Sequence, residues 1–187
     1  MKLIPLFLLV GMFAVSGLAQ INMPEPYSPE LVQRAEAGDA VAQWSLGACY
    51  SRGDEIQKEL SFKWLMKSAE QGNADAQYAL REYYCLKANE YIRTSENLPL
   101  IEEARKMANE WCLKAAEGGC ISAQGTLAHD YFYSHSKGAA RINDLEEAKK
   151  WYTKLATKGS KQDEKMIGQC EDAIKKEQRL LKTTKSK

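Results

Sequence analysis

Histidine is scarce in this chain, an excess of either charge is missing, and no segment reads convincingly as a β-strand. Of 187 residues only His129 and His135 are histidine. No second carboxylate or cysteine falls at ligand spacing on the helix that carries His129, so no metal site is expected. Without strands there is no strand leading into a glycine-rich phosphate loop, which excludes the common nucleotide-binding motifs. Lys and Arg number 26 against 25 Asp and Glu, and so even a balance gives no support to nucleic acid or a bulk membrane surface as partner. No cofactor is expected.

Beyond Val15 there is also no long apolar run. The one that exists, Leu3 to Val15, follows the positive charge of Lys2 and ends at Ser16-Gly17-Leu18-Ala19, small residues of the kind a signal peptidase cuts beside. This predicts a secretory signal over residues 1–19, cleaved near Ala19, and a periplasmic or secreted product. The alternative is an uncleaved anchor, for which the run is short and interrupted by Pro5 and Gly11, with Gly17 just beyond it. The residue immediately after the cut is Gln20 and not cysteine, which argues against lipid attachment. Length makes the remaining chain, about 168 residues, one domain. Its charge is zero overall but uneven, with residues 161–187 at net +3 and the remainder at −3.

What the chain does contain is a phrase repeated three times: Ala35-Glu36-Ala37-Gly38, Ala69-Glu70-Gln71-Gly72 and Ala116-Glu117-Gly118-Gly119 each open a similar stretch. Counting on from Gly38, Gly72 and Gly119, Ala recurs at four residues, Gln at five, Leu at eight and Tyr at twelve, the stripe of a helix. Counting back from Gly72, Gly119 and Gly159, Trp recurs at eight (Trp64, Trp111, Trp151) and Lys at five (Lys67, Lys114, Lys154), so a second helix precedes each of these glycines. Glycine ends one helix in a left-handed conformation and lets the next begin at once. The unit is a helical hairpin, which must stack on copies of itself to bury its apolar face.

These residues resemble the Sel-one-like repeat family, a relative of the tetratricopeptide solenoids, in the pattern A-x-x-G-x-x-x-A-x-x-x-L-G-x-x-Y followed by K-A-x-x-W-x-x-K-A-A-x-x-G. The match runs from 35 to 159. Gly47 departs from it by having no glycine counterpart in the other copies, where Arg81 and Ala128 stand. The resemblance implies an all-α fold, a right-handed α-solenoid of helical-hairpin repeats with capping helices at both ends, in a small exported bacterial member. The expected organisation is a signal over 1–19, lead-in and amino-terminal capping helix over 20–34, three repeats over 35–159, and a capping helix with a basic tail over 160–187. Ser28-Pro29-Glu30 supplies a cap, a first-turn proline and a first-turn acid for a short helix reaching Ala37. After Gly159 the pattern decays into one long polar helix over 161–182.

Glycine spacing runs 34, 47 and 40 residues, and the excess of 13 and 6 falls wholly between Tyr and Trp of the second and third units. Two insertions, about Leu86–Leu100 and Tyr133–Asp144, therefore lie between the helices of adjacent hairpins, and are expected to be neighbours along one edge. They carry Lys87, Tyr91, Arg93, His135, Lys137 and Arg141, the expected partner-binding residues, with Glu90, Glu96 and Asp144 as acids. The bland alternative is drifting loops, or helices extended by a turn or two.

Catalytic signals are weak. Ser134-His135-Ser136-Lys137 contains S-x-x-K, but Lys137-Gly138 leads into no obvious helix and the companion K-T-G is absent, so the match reads as chance. Five cysteines, Cys49, Cys85, Cys112, Cys120 and Cys170, leave at least one unpaired. Secreted cysteine-rich relatives staple their hairpins with cysteines eight apart, the separation of Cys112 and Cys120, but this pair is not symmetric about Gly119, and most of the five are expected to be small core residues. The resemblance thus implies a protein-binding module without a catalytic residue. One concrete form is an immunity protein that occludes a periplasmic lipase effector of type VI secretion; another is an envelope scaffold or signalling adaptor; a penicillin-binding or hydrolysing enzyme is the remote alternative.

Overall fold

The computed structural model describes residues 23–94, 97–157 and 159–185; the expected signal over 1–19 and the acid Glu96 lie outside them. Among the described residues there are eight α-helices and no strand: α1 (Pro29–Glu36), α2 (Ala40–Tyr50), α3 (Glu55–Glu70), α4 (Ala74–Thr94), α5 (Leu98–Glu117), α6 (Ile121–Phe132), α7 (Gly138–Ala156) and α8 (Lys161–Lys185). Each packs on its neighbour in sequence. The pairs α2–α3, α4–α5 and α6–α7 are the three hairpins, while α1 and α8 close the two ends. The architecture is an α-solenoid.

The repeated glycines act as expected. Gly38, Gly72, Gly119 and Gly159 all have φ between +86° and +99°, a region in which a Cβ is costly. Around the first three, the residue after glycine returns its N–H to the preceding helix, as Asp39 to Arg34 O, Asn73 to Ser68 O and Cys120 to Ala115 O. That same residue then caps the next helix. Asp39 accepts from the backbone N–H of Val41 and Ala42, and Asn73 from that of Ala76. Cys120 holds the third cap position without a side-chain cap bond.

The recurring apolar residues build three successive clusters rather than one centre. Leu31, Ala35, Ala42 and Leu46 join α1 to α2; Trp44, Leu65, Ala69, Ala76, Leu80 and Trp111 link α2 through α5; Cys112, Ala123, Trp151 and Cys170 sit within the third, spanning α5 to α8. Ala42, Ala76 and Ala123 are wholly buried, which is why that position stays small. Lys67, Lys114 and Lys154 lie over the rings of Trp64, Trp111 and Trp151, 4.4, 4.4 and 4.3 Å from their centres. In each repeat the ammonium group thus sits on the indole face as a cation–π contact.

The structure decides between the alternatives left open for the insertions. The first takes the extended-helix form: it lengthens both helices of its hairpin, so α4 runs to Thr94 and α5 begins at Leu98. Asn97 caps α5 by accepting from Leu100 N, and Pro99 sits in the first turn. The second insertion is shared between a short connection, Tyr133–Lys137, and the opening turns of α7. Lys137-Gly138 therefore does lead into a helix, contrary to expectation, with Lys137 at the cap position in an extended conformation.

Candidate functional site

Along one side of the solenoid, α2, α3, α4 and the start of α6 enclose an open groove of about 830 Å³. Its spine is α4, which contributes Asp75, Tyr78, Ala79, Glu82, Tyr83, Leu86, Lys87 and Glu90. Steps of three and four keep these on one helical face for four turns. The last three belong to the inserted segment, so the longer α4 extends the groove. Opposite stand Glu55, Lys58, Glu59, Ser61 and Leu65 of α3; Trp44 and Ala48 of α2 and Cys120 and Ser122 by α6 complete the lining.

The groove is acidic at its rim and apolar within. Five carboxylates face two ammonium groups, and both ammonium groups are engaged: Lys58 with Glu55 at 2.6 Å and Lys87 with Glu90 at 2.9 Å. The Lys58 hydrogen bond holds the Glu55 carboxyl below its ordinary range, with Lys87 adding at longer reach. Glu90 in turn raises Lys87. Glu59 and Glu82 are exposed and make no ion pair or hydrogen bond among the described residues. Tyr78 is fixed by a 3.2 Å hydrogen bond between its hydroxyl and that of Thr126 on α6, and Tyr83 by edge contact with Tyr84 and by Phe62.

Of the residues named from sequence, Lys87 lines this groove. Tyr91 is half-buried one turn further along α4, and Arg93 is exposed near its end. His135 and Lys137 are exposed in the α6–α7 connection. Arg141 is committed to structure: its guanidinium donates to the carbonyls of Tyr131 and Phe132, closing the end of α6, and to Ser134 Oγ. Ser134 and Ser136 both donate to Asp144. The Ser134 hydrogen bond, then that of Ser136, holds the Asp144 carboxyl below its usual range, with Arg141 adding charge. The bonds of Lys87 and of Arg141 stay within their own hairpins, and neither reaches the other insertion. Ser134 is thus held by a carboxylate and a guanidinium, with no bond to Lys137, and the connection is a clamp on the α6–α7 turn.

Sequence reading missed Glu59, Glu82, Trp44, Tyr78 and Tyr83 as groove residues. The available signal was the row of α4, since its three- and four-residue steps continue past Tyr84 without a break.

His129 lies on the outer surface 3.6 Å from Asp130 and against the Tyr133 ring. Among the described residues no three His, Cys, Asp or Glu side chains gather as metal ligands, and no helix is long and apolar enough to cross a membrane.

The Sel1 repeat family model matches residues 40–73, 101–120 and 121–160, about half of the chain. The chain belongs to the Sel1 repeat family. The unmatched stretch between the first two segments, 74–100, is α4 and the opening of α5, where the insertion falls. A Sel1 repeat protein from Oxalobacter formigenes is similar in structure, with TM-score 0.52 and 25% identity over 75% of this chain and 96% of that one. So is c5321, a protective antigen of uropathogenic Escherichia coli with the same fold, at TM-score 0.50 and 31% identity over 74% of this chain and 27% of that one. The chitin synthase regulator SKT5 of Saccharomyces cerevisiae is 32% identical over 145 residues. That alignment takes 75% of this chain but 19% of the regulator's length. The chain is a Sel1-repeat solenoid of the protein-interaction type.

Proposed function

We propose that this Sel1-repeat chain is exported and holds a protein partner in the groove along α4, acting by occlusion or scaffolding without a catalytic residue. The observation that carries this reading is the groove itself, an open channel with fixed aromatic side chains inside and free carboxylates at the rim. Tyr78 and Tyr83, both partly exposed, supply contact area at small entropic cost, as interface anchors do, over a floor that includes the buried Trp44. In its most concrete form the partner is a lipase effector of type VI secretion and the chain is its periplasmic immunity protein. That role demands about nanomolar affinity, near −12 kcal/mol.

A second reading, an envelope scaffold or signalling adaptor, draws support from the similarity to a protein named as a regulator. It requires only micromolar affinity. Capture of partners by tagged protein from its native envelope fraction, washed at moderate and at high salt and identified by mass spectrometry, separates the two. One stoichiometric lipase surviving high salt favours immunity, and a salt-labile complex with envelope machinery favours the adaptor. A bait that holds nothing in either wash sinks both.

A further inference from the structure

We infer that the groove accepts an extended, lysine- or arginine-bearing segment of its partner, with cationic side chains meeting Glu59 and Glu82 and apolar ones lying against Tyr78 and Tyr83. This rests on the protein-binding reading and specifies the chemistry of the bound segment. The argument is charge complementarity. Both lysines of the groove are already neutralised by groove carboxylates, Lys58 by Glu55 and Lys87 by Glu90. What remains for an incoming chain is negative: Glu59 on α3 and Glu82 on α4, exposed and without an ion pair or hydrogen bond among the described residues.

An extended segment suits a channel of this form, because its side chains alternate between two sides along the strand. One set reaches the carboxylate rim and the other the aromatic interior. The chain shows the same kind of contact beside the groove. The non-helical lead-in crosses α2, where Glu25 donates its backbone N–H to Ser45 Oγ at 3.1 Å and receives the Cys49 thiol on its carbonyl at 3.5 Å. Side chains one helical turn apart thus hold both polar groups of a passing backbone residue.

The test uses residues 20–187 and a fluorescent nonapeptide of alternating lysine and leucine, read by anisotropy, beside the same peptide with glutamate for lysine. The lysine peptide is expected to bind saturably at 1:1. Its affinity should fall at least tenfold in the Glu59→Gln/Glu82→Gln variant, and should fall as salt is raised from 50 to 300 mM. Glu146→Gln/Glu164→Gln removes the same charge from exposed sites outside the groove and should leave binding unchanged. Thermal melts check that both variants fold. Equal binding of the two peptides, or equal loss in both variants, overturns the assignment. So does a concentration-dependent association abolished by removing residues 182–187, which would make the basic tail of a second copy the occupant.

Applying the Glu59→Gln/Glu82→Gln variant as bait in the envelope capture separates the two claims. A partner held equally by wild type and variant refutes the groove assignment while the protein-binding reading stands. Groove-dependent peptide binding with no captured partner supports the assignment and counts against the broader reading.

Discussion

The side-chain amide of Gln77 donates to the carbonyl oxygen of Ala69 across the α3–α4 turn, at 3.1 Å and out of contact with water. The same bond joins Gln43 to Ala35 and Gln124 to Ala116, both at 3.0 Å. Each of these carbonyls also accepts the N–H of the turn glycine, Gly38, Gly72 or Gly119, at 3.0–3.2 Å, so in each repeat a glutamine in the first turn of one helix adds a second bond to a carbonyl at the end of the previous helix. Gln77→Ala should remove one of the two bonds on the Ala69 carbonyl, at a cost of about 0.5–1.5 kcal/mol. Urea unfolding measures it, and a loss no larger than that of an exposed control such as Gln162→Ala would deny the glutamine this role.

How much of this was legible beforehand differs by feature. The glutamine's recurrence five residues after glycine was plain, but its purpose was not, because the bond crosses a turn whose geometry the sequence does not state. The left-handed glycines, the capped α1 and the long α8 could be read, since each depends on local chemistry. The inserted segment was placed correctly between Tyr84 and Trp111 with extended helices left as one alternative beside loops; Asn97 and Pro99 carried the start signals for α5 that decide for helix. The groove itself depends on α3 and α4 lying side by side with their charges already paired, which no single-helix pattern encodes.

Two glycines should fail for different reasons. Gly72→Ala has open space but a φ of +88°, so strain of about 1–2 kcal/mol is expected. Gly47 lies in an ordinary helical conformation, yet a Cβ there would stand 2.8 Å from Leu65 Cγ, and crowding should cost about 1–3 kcal/mol. Leu65→Ala removes the two closest atoms and leaves only the Leu65 backbone N, at 3.2 Å. The Gly47→Ala/Leu65→Ala double variant should therefore lose less stability than the two single changes added together, whereas Gly72→Ala/Leu65→Ala should be closer to additive. Additive losses for the Gly47 pair would refute close α2–α3 packing.

Caps offer a gain as well as a loss. Asn73 Oδ1 accepts from Ala76 N at 2.9 Å, so Asn73→Ala should cost about 1 kcal/mol. The corresponding position before α6 is Cys120, which makes no cap bond. Cys120→Ser, near in size and a better acceptor, should raise stability by about 0.5–1 kcal/mol. Thermal unfolding of both variants checks the pair, and a lower midpoint for Cys120→Ser would mean that burial of the hydroxyl outweighs the cap.

The α6–α7 clamp should be sensitive to acid. Hydrogen bonds from Ser134 and Ser136 hold the Asp144 carboxyl below its ordinary range, so the native state favours the carboxylate more than the unfolded chain does. Its stabilising contribution is present in full above the usual aspartate value, about pH 4, and is lost as pH falls through the lower native value. Asp144→Asn should unfold more easily at pH 7 and depend less on pH in the window below about pH 4. Denaturation curves that run parallel for both proteins across that window would remove Asp144 from the clamp.

The five cysteines are free in the structure, and they should separate into two classes by reactivity. Cys112, Cys120 and Cys170 are buried, whereas Cys49 and Cys85 are partly exposed. Burial pushes the Cys112 thiol up to about 11 and raises Cys120 and Cys170 in the same direction. Since the thiolate is the nucleophile, a thiol shifted this far presents about a hundredfold less of it at pH 8 than an ordinary cysteine. Iodoacetamide labelling of the reduced native protein, followed residue by residue by mass spectrometry, should modify Cys49 and Cys85 first. Cys112 should react only as fast as the chain opens. Its rate should therefore rise with low urea, while that of Cys85 changes little; equal native rates for Cys85 and Cys112 would contradict the packing of α5 against α6.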